Sequence, residues 1–219
     1  MEINIMKWVH YCSKYQIPFY IYKLQAGDAF IYKQNVVGEN LKVILYGIIY
    51  LTKVFTNQEI ISLAILNTND IIPNISYYRP PKNYYYKATA LEETYIISFA
   101  WNSFYQDKTV YHISMYYILK MYQKILYKYE LMACIMAHKY AKYRIIQLIL
   151  ILCQEFGRIK QQHVLIPFEI SQITLGIITG SNKITINKII STLYNKMLIN
   201  YNYSKQLHIS DPFALSYIK

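Results

Sequence analysis

Ser171-Gln172-Ile173-Thr174-Leu175-Gly176-Ile177-Ile178-Thr179-Gly180-Ser181-Asn182-Lys183-Ile184-Thr185-Ile186-Asn187-Lys188 is the stretch whose reading decides the fold. Ser171 can cap a helix running to about Ile178. Thr179-Gly180-Ser181 is a tight turn in which Gly180 is free to take φ > 0. Ser181 or Asn182 can cap a second helix that continues through Asn195. Beyond it, Leu198-Ile199-Asn200-Tyr201-Asn202-Tyr203 and Gln206-Leu207-His208-Ile209-Ser210 alternate like two short strands of a hairpin. Two short helices about a glycine turn, then a hairpin, spell a winged helix-turn-helix.

Working outward, a further helix is expected over about 139–156, stopped by Gly157. Between Pro81 and Gly157 neither Gly nor Pro occurs. Met115, Ile118, Tyr122, Ile125, Tyr129, Met132 and Met136 follow at spacings of 3, 4, 3, 4, 3 and 4, a heptad seam that predicts a long helix pairing with a second copy. Residues 17–100 read as β. Runs rich in aliphatic and aromatic residues at 19–23, 42–46, 48–54, 59–66, 84–90 and 94–99 are separated by turn signals such as Ala26-Gly27-Asp28 and Asn67–Asp70. Short strands at such spacing suggest a sandwich or barrel. The expected fold class is α+β. An N-terminal β-roll over 1–103 is followed by a dimerisation helix over 104–137 and a winged helix-turn-helix over 138–219.

Composition narrows the function classes. Residues 1–137 hold 13 Lys+Arg against 9 Asp+Glu, and residues 138–219 hold 10 against 3, so the shorter segment carries the larger excess of the +11 net charge. A basic C-terminal segment suits a polyanion. Cys12, Cys134 and Cys153 are odd in number and far apart, which speaks against disulfides or zinc and for a reducing compartment. The five His show no ligand spacing, and no signal-peptide pattern or membrane-length apolar run is present. No nucleophile–base pair or phosphate-cradling glycine loop appears, so an enzyme is not expected. The heavy use of Tyr, Ile, Lys and Asn is that of AT-rich codons.

The stretch from Ser171 to Lys188 resembles the helix-turn-helix of the cyclic-AMP receptor/fumarate-nitrate regulator (CRP/FNR) family. Leu150-Ile151-Leu152-Cys153-Gln154-Glu155-Phe156-Gly157, preceded by Ala137-His138-Lys139, is similar to the family's global nitrogen regulators of cyanobacteria and their plastid-encoded counterparts in red algae. Leu24-Gln25-Ala26-Gly27-Asp28 and Gly47-Ile48-Ile49-Tyr50-Leu51 resemble the family's sensor turns. The resemblance implies a homodimeric transcription regulator that binds near-palindromic duplex DNA of the GTA…TAC type and works with RNA polymerase. It is expected in the plastid stroma and makes no use of a membrane. Ser181, Lys183, Thr185, Asn187 and Lys188 are the expected DNA-binding residues, with Ile186 turned to the core. Lys183 and Lys188 stand where the family usually has Arg, which exchanges a planar fork for a point charge. An effector-binding or protein-interaction module whose motif no longer reads sequence is the alternative reading.

No cofactor is expected. The Gly-Glu pair and the arginine of the family's cyclic-nucleotide binders are missing from Ile71-Ile72-Pro73-Asn74-Ile75 and Tyr85-Tyr86-Lys87-Ala88-Thr89-Ala90, which speaks against cyclic AMP. For 2-oxoglutarate, the resemblance places the effector site at Ile72, Asn74, Ile75, Tyr84, Lys124, Lys128 and Glu130. This pocket departs from the family's pattern. Pro73 removes an N–H from the first turn, and Tyr84 and Ile125 stand where arginines are usual. Arg79, Lys82 and Lys124 are the cations that could compensate.

Overall fold

The computed structural model describes residues 6–32, 40–73, 83–100, 108–160, 163–203 and 205–218. The chain divides into two compact units, 1–131 and 132–219.

The first unit opens with α1 (Met6–Lys14), followed by strands β1 (Phe19–Leu24), β2 (Ala29–Tyr32), β3 (Asn40–Tyr46), β4 (Ile49–Phe55), β5 (Ile60–Leu66), β6 (Ile71–Ile72), β7 (Tyr84–Ala90) and β8 (Thr94–Ala100). They form two antiparallel four-stranded sheets, ordered β1-β8-β3-β6 and β2-β7-β4-β5. The six expected runs are all strands, because short runs of β-branched and aromatic residues bounded by turn signals fit a pleated, packed surface. Both sheets contribute to one core, with Val43, Ile97 and Phe99 from one and Leu51, Leu66 and Ala88 from the other. Sequence reading did not foresee α1, which closes one side of this core. Trp8 stacks on Phe99 with centroids 5.4 Å apart, and Cys12 is buried.

Helix α2 (Lys108–Ala137) is where expectation and structure part. Its buried stripe is Ser114, Ile118, Met121, Ile125, Lys128, Met132 and Ile135. The expected seam shares Ile118, Ile125 and Met132 with that stripe, so these three already serve the chain's own core. Sequence spacing alone fixes the period of an apolar face but not which of two neighbouring apolar faces the domain claims first. The neighbouring row is Met115, Leu119, Tyr122, Leu126, Tyr129, Ala133 and Met136, again at spacings of 4 and 3, of which Tyr122 and Tyr129 also pack against the core. On it Leu119 and Leu126 are 55% and 64% exposed.

The second unit holds α3 (Ala141–Phe156), β9 (Arg158–Lys160), β10 (His163–Glu169), α4 (Gln172–Thr179), α5 (Lys183–Asn195), β11 (Ile199–Tyr201), β12 (Gln206–Ile209) and α6 (Pro212–Ser216). Its sheet runs β11-β12-β10-β9, all antiparallel. The expected hairpin is β11–β12, while β9, β10 and α6 extend the expectation. Ile145, Leu148, Ile149 and Leu152 of α3 are buried, as are Leu175, Ile186, Ile190, Leu193, Leu207 and Leu215.

Candidate nucleic-acid interface

The geometry of the second unit follows from its caps. Ser171 Oγ accepts the Thr174 N–H at 3.0 Å and starts α4. Gly180 ends it at φ 59°, ψ 40°, the left-handed conformation that costs an L side chain about 1–2 kcal/mol. One residue later the Ser181 N–H donates to the Gly176 carbonyl at 2.9 Å. A Cβ on Gly176 would lie 2.9 Å from the Ser181 carbonyl oxygen, so glycine there lets the turn fold back on α4. Asn182, the second of the two expected caps, accepts the Thr185 N–H through Oδ1 at 2.8 Å and starts α5.

Helix α5 then presents two faces. Ile186, Ile190 and Leu193 are buried, as expected for Ile186. Lys183, Asn187 and Lys188 are exposed, and Thr185 is half-buried beside the cap. Among the described residues neither Lys183 nor Lys188 is ion-paired. Ser181 is half-buried, with its hydroxyl 3.1 Å from that of Thr179. Ile184, 70% exposed, shares the outer face with Asn187, Lys188 and Ser191 at helical spacings. Sequence reasoning left Ile184 without a role. Its signal is an apolar residue between two lysines at a position the core does not claim. Such a face offers an amide, hydroxyls, cations and one aliphatic surface for base edges, phosphates and a thymine methyl.

The sheet of this unit adds positive charge. Across β9 and β10, Lys160 pairs with His163 and Arg158 with Leu165, while Leu165 pairs with His208 on β12. The His163 and His208 rings are 4.8 Å apart. Burial first, then the charges of His163 and Lys160, hold the His208 imidazole below its ordinary pKa.

Ile72 is buried in the β core, Glu130 is exposed on α2, and Asn74, Ile75, Arg79 and Lys82 lie outside the described residues. Tyr84 sits under Lys53, whose Nζ is 3.6 Å from the ring centroid. Lys124 and Lys128 do come together, on a partner that sequence reasoning missed. Asp70, fully buried, places Oδ1 2.7 Å from Lys124 Nζ and Oδ2 2.5 Å from Lys128 Nζ. Asn67 Oδ1 accepts from both lysines, at 3.2 and 3.1 Å. The only signal was a turn carboxylate and two lysines one helical turn apart. Around Tyr32 the interior is phenolic. Tyr32 stacks on Tyr86 at 5.3 Å and donates to the Pro73 carbonyl at 3.0 Å. Burial, then the neighbouring phenols of Tyr129, Tyr86 and Tyr122, push its own pKa far up. Among the described residues no group of three or more His, Cys, Asp or Glu could hold a metal, and no helix is long and apolar enough to cross a membrane.

No family model matches the chain. It is 26% identical over 209 residues to ycf28 of Porphyra purpurea, a protein whose name describes an HTH-type transcriptional regulator, covering 95% of this chain and 86% of that one. It is 25% identical over 181 residues to the global nitrogen regulator of a Nostoc species, covering 82% and 80%. In structure it is similar to a transcriptional regulator of the CRP family from Thermus thermophilus, with a TM-score of 0.69 at 14% identity over 89% of this chain and 94% of that one.

Proposed function

We propose that this chain, a CRP/FNR-like regulator in sequence and fold, is a sequence-specific DNA-binding transcription regulator that acts as a homodimer. The observation that carries this reading is the outer face of α5. It is a lysine-flanked polar surface, not ion-paired among the described residues, whose N-terminus is fixed by Asn182 and the Gly180 turn. A helix held in this way can lay its first turns in a major groove. Lys183, Lys188 and Asn187 supply phosphate and base contacts, Ser181 and Thr185 flank the helix start, and Ile184 offers the apolar contact.

The remaining face of α2 supports the dimer. Leu119 and Leu126 expose apolar surface in a heptad register that a second copy would cover. Two copies would present two α5 helices about 34 Å apart, one turn of duplex, to a near-palindromic operator. RNA polymerase is the further partner this reading implies, and no resident cofactor takes part. The names of the relatives support a role in nitrogen control, and the AT-rich codon bias supports a plastid location.

The test is fluorescence anisotropy of a palindromic GTA…TAC duplex against a scrambled one at about 150 mM salt. The expected result is preference for the palindrome by ~10³ or more. Equal affinity would overturn the reading and leave an interaction module whose motif no longer reads sequence.

A further inference from the structure

Asp70 and its two lysines are built into the fold more firmly than a surface ion pair. The carboxylate sits in the turn between β5 and β6, where Oδ2 also accepts the Asn67 N–H at 2.7 Å. The Asp70 carbonyl accepts from Ile44, and the Asn69 N–H donates to the Ile44 carbonyl. The acid is thereby pinned to the sheet, with the Asp70 side chain fully buried and that of Lys128 4% exposed. The lysines come from the first unit's stretch of α2, one turn apart. A buried ammonium group without an anion is costly, so this pair needs a carboxylate from somewhere.

We propose that Asp70 is a built-in anion. Its carboxylate occupies the lysine pair of α2, so the pair needs no bound acid, and loss of Asp70 opens a site there for a small carboxylate. The chemistry is specific. Each oxygen of Asp70 faces one lysine, Oδ1 in an ion pair with Lys124 and Oδ2 hydrogen-bonded to Lys128. A second carboxylate brought to the same lysines would meet Asp70 at close range and be repelled. The remaining positive charge belongs to Lys124, whose side chain is 44% exposed. Pro73 removes a backbone donor from the neighbouring segment, and its carbonyl is taken by Tyr32. Only the DNA arm of the test below rests on the function proposed above.

The full-length Asp70→Ala variant is melted in chloride and in acetate or formate at equal ionic strength. The variant should melt several degrees below the unsubstituted protein in chloride. Acetate or formate should restore at least half of that loss while leaving the unsubstituted protein unchanged. A variant as stable as its parent, or one that ignores carboxylates, overturns the proposal. Should Asp70→Ala fail to fold, Lys124→Gln, which removes the exposed lysine, serves instead. Hydrogen exchange of α2 amides around Lys124 should then quicken at least tenfold, and unchanged exchange overturns the proposal. In the DNA arm, 2-oxoglutarate should alter the anisotropy-derived affinity of the unsubstituted protein less than twofold. Tightening of tenfold or more overturns it. If no duplex is preferred, the melting and exchange arms still decide.

Discussion

At the scale of single residues, the reading face of α5 makes the sharpest prediction. Lys183 and Lys188 are exposed and, among the described residues, not ion-paired, so replacing either with Ala leaves the fold alone. Each substitution should weaken binding to the palindrome by roughly 1–3 kcal/mol if its ammonium touches a base. Titrations with palindromic and random duplexes separate the roles. Loss on the palindrome alone marks a base reader, and equal loss on both marks a phosphate contact. His208 makes a different prediction. Its folded-state pKa is lowered from 6.5, chiefly by burial and then by His163 and Lys160. Because the unfolded chain takes up that proton more readily, stability is fully present above 6.5 and is lost as pH falls towards the lowered folded value. Melting at pH about 7.5 and about 5.5 should show this loss, and His208→Gln should flatten it. The capping residues and the positive-φ glycine were legible because each has a short-range signature. Asp70 was not, because a turn aspartate declares its partner only when sheet and helix are packed.

At the scale of elements, α2 offers two apolar faces with opposite consequences. Ile125 is buried in the first unit, so Ile125→Ala should cost about 2–5 kcal/mol of stability, read from a denaturant titration. Leu126, the next residue, is 64% exposed, so Leu126→Glu should leave the melt near that of the parent. It should, however, split the dimer, which sedimentation equilibrium would report as a halved mass. A dimer that survives Leu126→Glu and Leu119→Glu together would remove this face from the account. The same contrast explains what the sequence could tell. Strands β1, β3, β4, β5, β7 and β8 were legible because each is a short run rich in β-branched and aromatic residues set between turn signals. The period of α2 was legible too. Its phase was not, because Ile118, Ile125 and Met132 interleave with Met115, Tyr122 and Tyr129, and a count of apolar positions cannot rank them. Helix α1 escaped notice because nine residues with Trp8 and Cys12 as inward anchors give too little periodicity.

At the scale of the whole molecule, charge and symmetry act together. Residues 138–219 carry 10 Lys+Arg against 3 Asp+Glu, so random duplex should bind in a strongly salt-dependent way before any base is read. In a dimer, Lys183 and Lys188 contribute four ammonium groups across the two α5 helices. If all four neutralise phosphates, the Lys183→Gln/Lys188→Gln variant should reduce the slope of log K against log salt by about 3–4, at about 0.9 per phosphate. If the lysines read bases, affinity for the palindrome should fall while binding to random duplex and its slope stay near those of the parent. A slope and an affinity both unchanged on the palindrome would mean that α5 does not meet the duplex at all. In that case the strand cations Arg158 and Lys160 would have to carry the attraction instead, and Lys160→Gln would be the substitution that lowers the slope.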